Sequence, residues 1–185
     1  MDRAPLGGCG GRVSRRHVLL VGLPGAGKSA VGQLVAEALG APLIDVDQLL
    51  VRQMGMPVVQ IFGMLGEGEF RRMERDAVRA ACSAGPAVIV PGAGWAAQEG
   101  ELELARETSC IIYLKCQPST AAKRTEGGEV RPLLAADPVA RMRALLQERE
   151  GHYTRAEHQV VTDSRTQQAT AAEVVRIARE SAEWF

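Results

Sequence analysis

Gly22-Leu23-Pro24-Gly25-Ala26-Gly27-Lys28-Ser29 fits the pattern GxxxxGK[ST], and each part of it has a chemical use. Gly25, Ala26 and Gly27 let successive backbone N–H groups converge on a polyphosphate, with the positive end of a following helix behind them. Lys28 reaches for the β- and γ-oxygens, Ser29 offers its hydroxyl to Mg²⁺, and Ala30 continues the helix whose N-terminus faces the phosphates. A second cluster, Asp45-Val46-Asp47, carries two carboxylates one residue apart, which an extended segment turns to the same side. Asp47 can then orient or deprotonate an acceptor hydroxyl while Asp45 holds the magnesium shell, or Asp47 can simply cap the next helix.

The phosphate motif alone does not separate kinases from GTPases or mechanical ATPases. The chain has no [NT]KxD signature, and neither the third nor the fourth expected strand ends in the Asp of an ordinary Walker B motif.

The elements that must position these residues alternate. Residues 17–21 form a β-branched, apolar run suited to a strand buried on both faces, and from Lys28 apolar residues recur at helical spacing until Gly40 and Pro42. Further strands are expected at 43–45, 87–90, 110–114 and 158–161. Helices are expected at 48–54, 58–62, 67–83, 101–107, 118–125, 139–149 and 167–183, with breaks at 55–57 and 63–66. Short connections between alternating strands and helices imply an α/β fold with a five-stranded parallel sheet and helices on both faces. Residues 126–137 hold Gly127, Gly128 and Pro132 with little apolar periodicity, the character of a mobile lid.

With 185 residues and 46% apolar content the chain can bury one core without disulfides or a structural metal. Lys plus Arg (22) balance Asp plus Glu (22), which gives no general basic surplus for nucleic acid or anionic membrane. Cys9, Cys82, Cys110 and Cys116 form no CxxC, the histidines have no metal-ligand spacing, and Cys110 and Cys116 bracket a strand as apolar filler. No apolar run approaches the ~20 residues of a membrane span. Residues 1–16 read as a flexible Gly- and Arg-rich leader without a signal-type apolar stretch, so the expected location is a reducing cytoplasm.

Over roughly residues 17–178 the chain resembles the shikimate kinases. The resemblance rests on the phosphate loop, Asp45-x-Asp47, Ile61-Phe62, the run Gly66-Glu67-Gly68-Glu69-Phe70-Arg71-Arg72-x-Glu74, Val130-Arg131-Pro132-Leu133-Leu134, and Arg149-x-x-x-Tyr153. It implies a three-layer P-loop kinase fold in a single domain, 17–185, with a substrate-binding region at 46–74 and a lid at 126–137. It also implies ATP and Mg²⁺ as cofactors, a small ring acid as acceptor, and a monomer. By position, Asp47 would contact the acceptor hydroxyls and Arg71 and Arg149 would clamp a carboxylate. Arg131 would reach the phosphates from the lid, and Arg124 and Arg165 would flank the adenine.

One segment departs from the family pattern. Where three consecutive glycines and a small residue are expected, this chain reads Gly92-Ala93-Gly94-Trp95. If the middle position needs a left-handed backbone, the Ala93 methyl costs about 1 kcal/mol; otherwise it narrows the pocket. Trp95 packs under the sheet edge or lines the acceptor site. A kinase for a related cyclic or polyol acid, and a non-catalytic relative, are the competing readings.

Overall fold

The computed structural model describes residues 15–125 and 137–185. Five parallel strands, β1 (His17–Val21), β2 (Leu43–Asp45), β3 (Val88–Val90), β4 (Ser109–Lys115) and β5 (His158–Val161), form one sheet in the order β2-β3-β1-β4-β5. β1 lies between β3 and β4, with Leu19 opposite Ile89 on one side and Ile111 on the other, so all five of its residues are buried. That is why it is an unbroken apolar run rather than an alternating one. Register brings Asp45 beside Val90 and Lys115 beside Val161, so the loops after all five strands emerge on one edge. In open parallel sheets this edge, where strand order reverses around β1, is where ligands bind.

The helices are α1 (Lys28–Leu39), α2 (Val46–Met54), α3 (Val58–Cys82), α4 (Glu101–Arg106), α5 (Pro118–Thr125), α6 (Pro138–Tyr153) and α7 (Gln167–Ser181), with a 3₁₀ turn at Trp95–Ala97. α1 packs on α7, α3 on α4 and α5 on α6. Right-handed crossovers send the chain to opposite faces when it moves left from β1 to β2 and right from β3 to β4, which gives the three layers. No single helix among the described residues is long and apolar enough to cross a membrane.

The structure redraws several expected elements. The two helices expected at 58–62 and 67–83 are the two halves of α3, which meet at a kink at Gly66 (φ 79°, ψ 165°) inside the expected break, the first half running on to the residue before the kink. α2 begins at Val46 rather than at residue 48, and α6 continues four residues beyond the expected end. Arg16, grouped in the sequence with the leader, is anchored: its guanidinium donates to Glu157 and to the carbonyls of Ser109 and Ser181, and Trp184 Nε1 donates to its carbonyl. Cys110 and Cys116 are buried free thiols, as befits apolar filler. The expected lid with Arg131 falls almost wholly outside the described residues; Asp137, its last residue, caps α6 by accepting from Ala140 N at 2.9 Å.

Candidate active site

The loop after β1 folds as its glycines require. Gly25 (φ 80°) and Gly27 (φ 94°) are left-handed, and a side chain on Gly25 would strike the Ala121 carbonyl of α5. Ala26 is buried, Gly27 precedes the first turn of α1, Ser29 is exposed at the head of that helix, and Ala30 lies half-buried beside it. Lys28 curls back so that its Nζ donates to the carbonyls of Gly22 (2.9 Å) and Leu23 (3.0 Å). Burial pushes its ammonium pKa down to about 8 against the opposing pull of Asp47, Cys116 and Asp45, while Arg149 adds to the depression.

Arg124 on α5 and the turn that holds Arg165 are joined through Thr162. Arg124 donates to Thr162 Oγ1 (3.0 Å) and to the Thr162 carbonyl (2.7 Å), tying α5 to the turn that carries the exposed Arg165. Asp163 accepts from Gln117 N at 2.8 Å and joins the loops after β4 and β5.

The expectation that Asp45 and Asp47 lie on one extended segment is corrected. Asp45 ends β2 and is itself the helix cap, accepting from Gln48 N at 3.1 Å, whereas Asp47 sits in the first turn of α2. Capping therefore falls to Asp45, whose other oxygen, Oδ2, is buried with no hydrogen-bond partner among the described residues. Asp47 reaches the loop after β3: a Cβ added to Gly92 would lie 3.1 Å from Asp47 Oδ1 and collide with Glu74 Oε1.

The charged run on α3 divides by burial. Arg72 pairs in solvent with Glu69 and Asp76, but Arg71 is only 19% exposed, bonded to Glu74 at 2.8 Å and 3.5 Å from Glu67. It lies over the stacked rings of Phe62 and Phe70, 5.6 and 5.7 Å from their centroids. Glu74, fully buried, accepts from Arg71 and from Gln98 Nε2 (2.9 Å) through Oε2 and leaves Oε1 without a partner among the described residues. Burial raises its pKa, Arg71 opposes the rise and the Asp47 charge adds to it. Arg149 on α6, 13% exposed, pairs with Glu148 and lies one turn before Tyr153, whose OH donates to the Ala93 carbonyl at 2.6 Å.

The structure thus gathers Lys28, Asp45, Asp47, Arg71 and Arg149 around the 92–94 loop at one sheet edge, with Ser29 at the head of α1 and Arg124 and Arg165 to one side. Sequence reasoning gave no role to Glu74, Gln98 or Tyr153. Glu74 at three residues from Arg71 and Tyr153 at four from Arg149 are helical neighbours, the available signal for both. Trp95 is fully buried in the core, and among the described residues only Glu183 combines a side chain with positive φ, so Ala93 carries no left-handed strain.

A glycine phosphate loop after a central parallel strand, facing carboxylates and half-buried guanidinium groups across one sheet edge, defines a P-loop small-molecule phosphotransferase. Comparison with known proteins narrows the class. The shikimate kinase family model matches residues 24–179. A shikimate kinase of Symbiobacterium thermophilum is 39% identical over 171 residues, 90% of this chain and 98% of that one. One from Mycobacterium avium is 42% identical over 140 residues, 75% of this chain and 78% of that one. The solved shikimate kinase of Acinetobacter baumannii in complex with shikimate superposes with a TM-score of 0.83 at 28% identity, covering 90% of this chain and 94% of that one. The chain belongs to the shikimate kinase family, and it is an ATP-dependent kinase.

Proposed function

We propose that this enzyme transfers the γ-phosphoryl group of ATP to the 3-hydroxyl of shikimate, as a cytoplasmic monomer serving aromatic amino acid biosynthesis. The observation that carries the acceptor assignment is the pair of half-buried guanidinium groups, Arg71 and Arg149, beside Asp47 and the 92–94 loop. Two planar cations shielded from solvent select a carboxylate over a neutral sugar, and Asp47 lies near enough to engage a ring hydroxyl. Of the departures from the family pattern, Trp95 is core and does not line the acceptor side, and Ala93 is unstrained, so its methyl acts on the acceptor only by narrowing the pocket.

In this reading the kinase domain is 17–185, residues 46–74 bind the acceptor, and 126–137 close over the nucleotide and bring Arg131 to the phosphates. Gly25, Ala26, Gly27 and Ala30 shape the phosphate cradle, and Arg124 and Arg165 flank the base. Lys28 exchanges its two loop carbonyls for the β- and γ-oxygens. Asp47 accepts the acceptor hydroxyl's proton as its oxygen bonds to phosphorus and the bond to the ADP oxygen breaks. The Ser29 hydroxyl and the partnerless Asp45 Oδ2 fit a hydrated divalent cation and would hold Mg²⁺, which when bound offsets phosphate charge. Positioning and charge neutralisation supply most of the catalysis.

The test is ADP release from Mg²⁺-ATP with shikimate, with a panel of related ring acids, and with no acceptor. Shikimate-dependent release, with the phosphate ester on the 3-oxygen by phosphorus NMR, is the expected result. Turnover confined to another acid would move the acceptor assignment, and none with any acid would leave a nucleotide-binding relative.

A further inference from the structure

The loop that faces Asp47 and Arg71 has three carbonyls, and each has a protein donor. Gly92 O accepts from Trp95 N (3.1 Å), Gly94 O accepts from Ala97 N (3.3 Å), and Ala93 O accepts from the Tyr153 hydroxyl (2.6 Å). The first two bonds close the local turn and travel with it. Only the third ties the loop to another part of the molecule, and it comes from the last residue of α6.

Tyr153 is built for that contact. Its ring is fully buried, 5.2 Å from the Tyr113 ring. Arg149 lies one helical turn earlier on the same helix, and its charge acts on the phenol. Burial raises the phenol's pKa to about 12, so it remains a protonated donor throughout the working range. The Tyr153 hydroxyl therefore ties α6, the helix that also carries Arg149, to a loop that would otherwise be set independently.

We infer that Tyr153 is a positioning residue for the acceptor: through its hydroxyl it fixes the rotation of the peptide after Ala93 and ties that loop to the helix that carries Arg149. The N–H of a trans peptide points opposite its carbonyl, so holding the Ala93 carbonyl on Tyr153 also fixes where the Gly94 N–H points. The inference rests on the acceptor reading above and adds to it a residue that touches no reacting atom. It also fits the extension of α6 past Gly151, since the helix must run to residue 153 to deliver the hydroxyl.

The experiment compares Tyr153→Phe with wild type, using whichever ring acid wild type turns over. Failure with shikimate itself then counts against the acceptor assignment and not against this inference. Phenylalanine keeps the buried ring and deletes only the bond, leaving one carbonyl without its donor. The acceptor KM is expected to rise roughly tenfold, with the ATP KM moving by less than about twofold. Tyr113→Phe is the control, because it removes a buried hydroxyl that has no partner among the described residues from the ring alongside; its acceptor KM should match wild type. An unchanged acceptor KM in Tyr153→Phe, equal increases in both KM values, or the same acceptor defect in Tyr113→Phe would overturn the inference.

Discussion

Lys28 stores a proton-linked signal of nucleotide binding. Without nucleotide its amine is held by two carbonyls in a desolvated loop, with a pKa of about 8. Its charged form is disfavoured in the folded chain, so this cost to stability is full below that value and fades as pH rises toward the ordinary 10.5. A bound polyphosphate reverses the preference by placing anionic oxygens against the amine. With that pKa, about half of the free enzyme carries neutral Lys28 at pH 8, and about a tenth at pH 7. Binding Mg²⁺-ADP should therefore take up about 0.5 proton per site at pH 8 and about 0.1 at pH 7, the nucleotide's phosphates having lost their last proton near pH 6. Titration calorimetry in buffers of different ionisation enthalpy reads this number as the slope of observed against buffer enthalpy. In Lys28→Arg the slope should fall to zero, with weaker binding, because a guanidinium stays charged. A slope near zero for wild type at pH 8, or one that survives in Lys28→Arg, would refute the reasoning.

Gly94→Ala would place a Cβ 2.5 Å from Arg71 Nη2, so the guanidinium must shift by about 1 Å to regain ordinary contact. Steady-state kinetics should show the acceptor KM raised at least about tenfold with the ATP KM little changed; normal acceptor kinetics would contradict the close approach. Asp47→Asn should lower kcat by at least about 100-fold while nucleotide affinity, read by calorimetry, stays within about threefold. A normal rate would remove Asp47 as proton acceptor. His17 is buried with Nδ1 accepting from Ala87 N and Nε2 donating to the Cys82 carbonyl, and burial lowers its pKa. Its contribution to stability is complete above about pH 6.5 and is lost as pH falls through the lowered folded value. Urea midpoints should fall from pH 7.5 to pH 5 more steeply in wild type than in His17→Gln, and parallel slopes would count against this.

The sheet was legible because its strands are short, apolar and bounded by turn residues, and because β1 leads directly into the phosphate loop. The helix ends were less so. The break expected at 63–66 is there as a kink at Gly66, but it is narrower than the run of glycines suggests: Gly63 and Gly68 stay helical, since packing of Ile61 and Phe70 holds the segments on either side. The expected end of α6 at residue 149 failed for a related reason: the burial of Tyr153 outweighs the poor propensity of Gly151. At the site, sequence revealed which charges exist but not which are buried. Arg71 and Arg72 are adjacent and chemically identical, and only the direction of α3 sends one over Phe62 and Phe70 and the other into solvent.

The same distinction explains the departure at 92–94. Neither Gly92 nor Gly94 has a positive φ, so neither is glycine for the sake of backbone freedom; both are glycine for space. Their missing side chains would meet Glu74 and Asp47 on one residue and Arg71 on the other, the groups that make the acceptor side of the site. The position between them has its carbonyl on Tyr153 and no left-handed strain, and it accommodates a methyl. The steric demand therefore belongs to the two flanking glycines, which this chain keeps. A substitution at the middle residue leaves the approach of Asp47, Glu74 and Arg71 to the loop intact, whereas a substitution at either neighbour would force those charges apart.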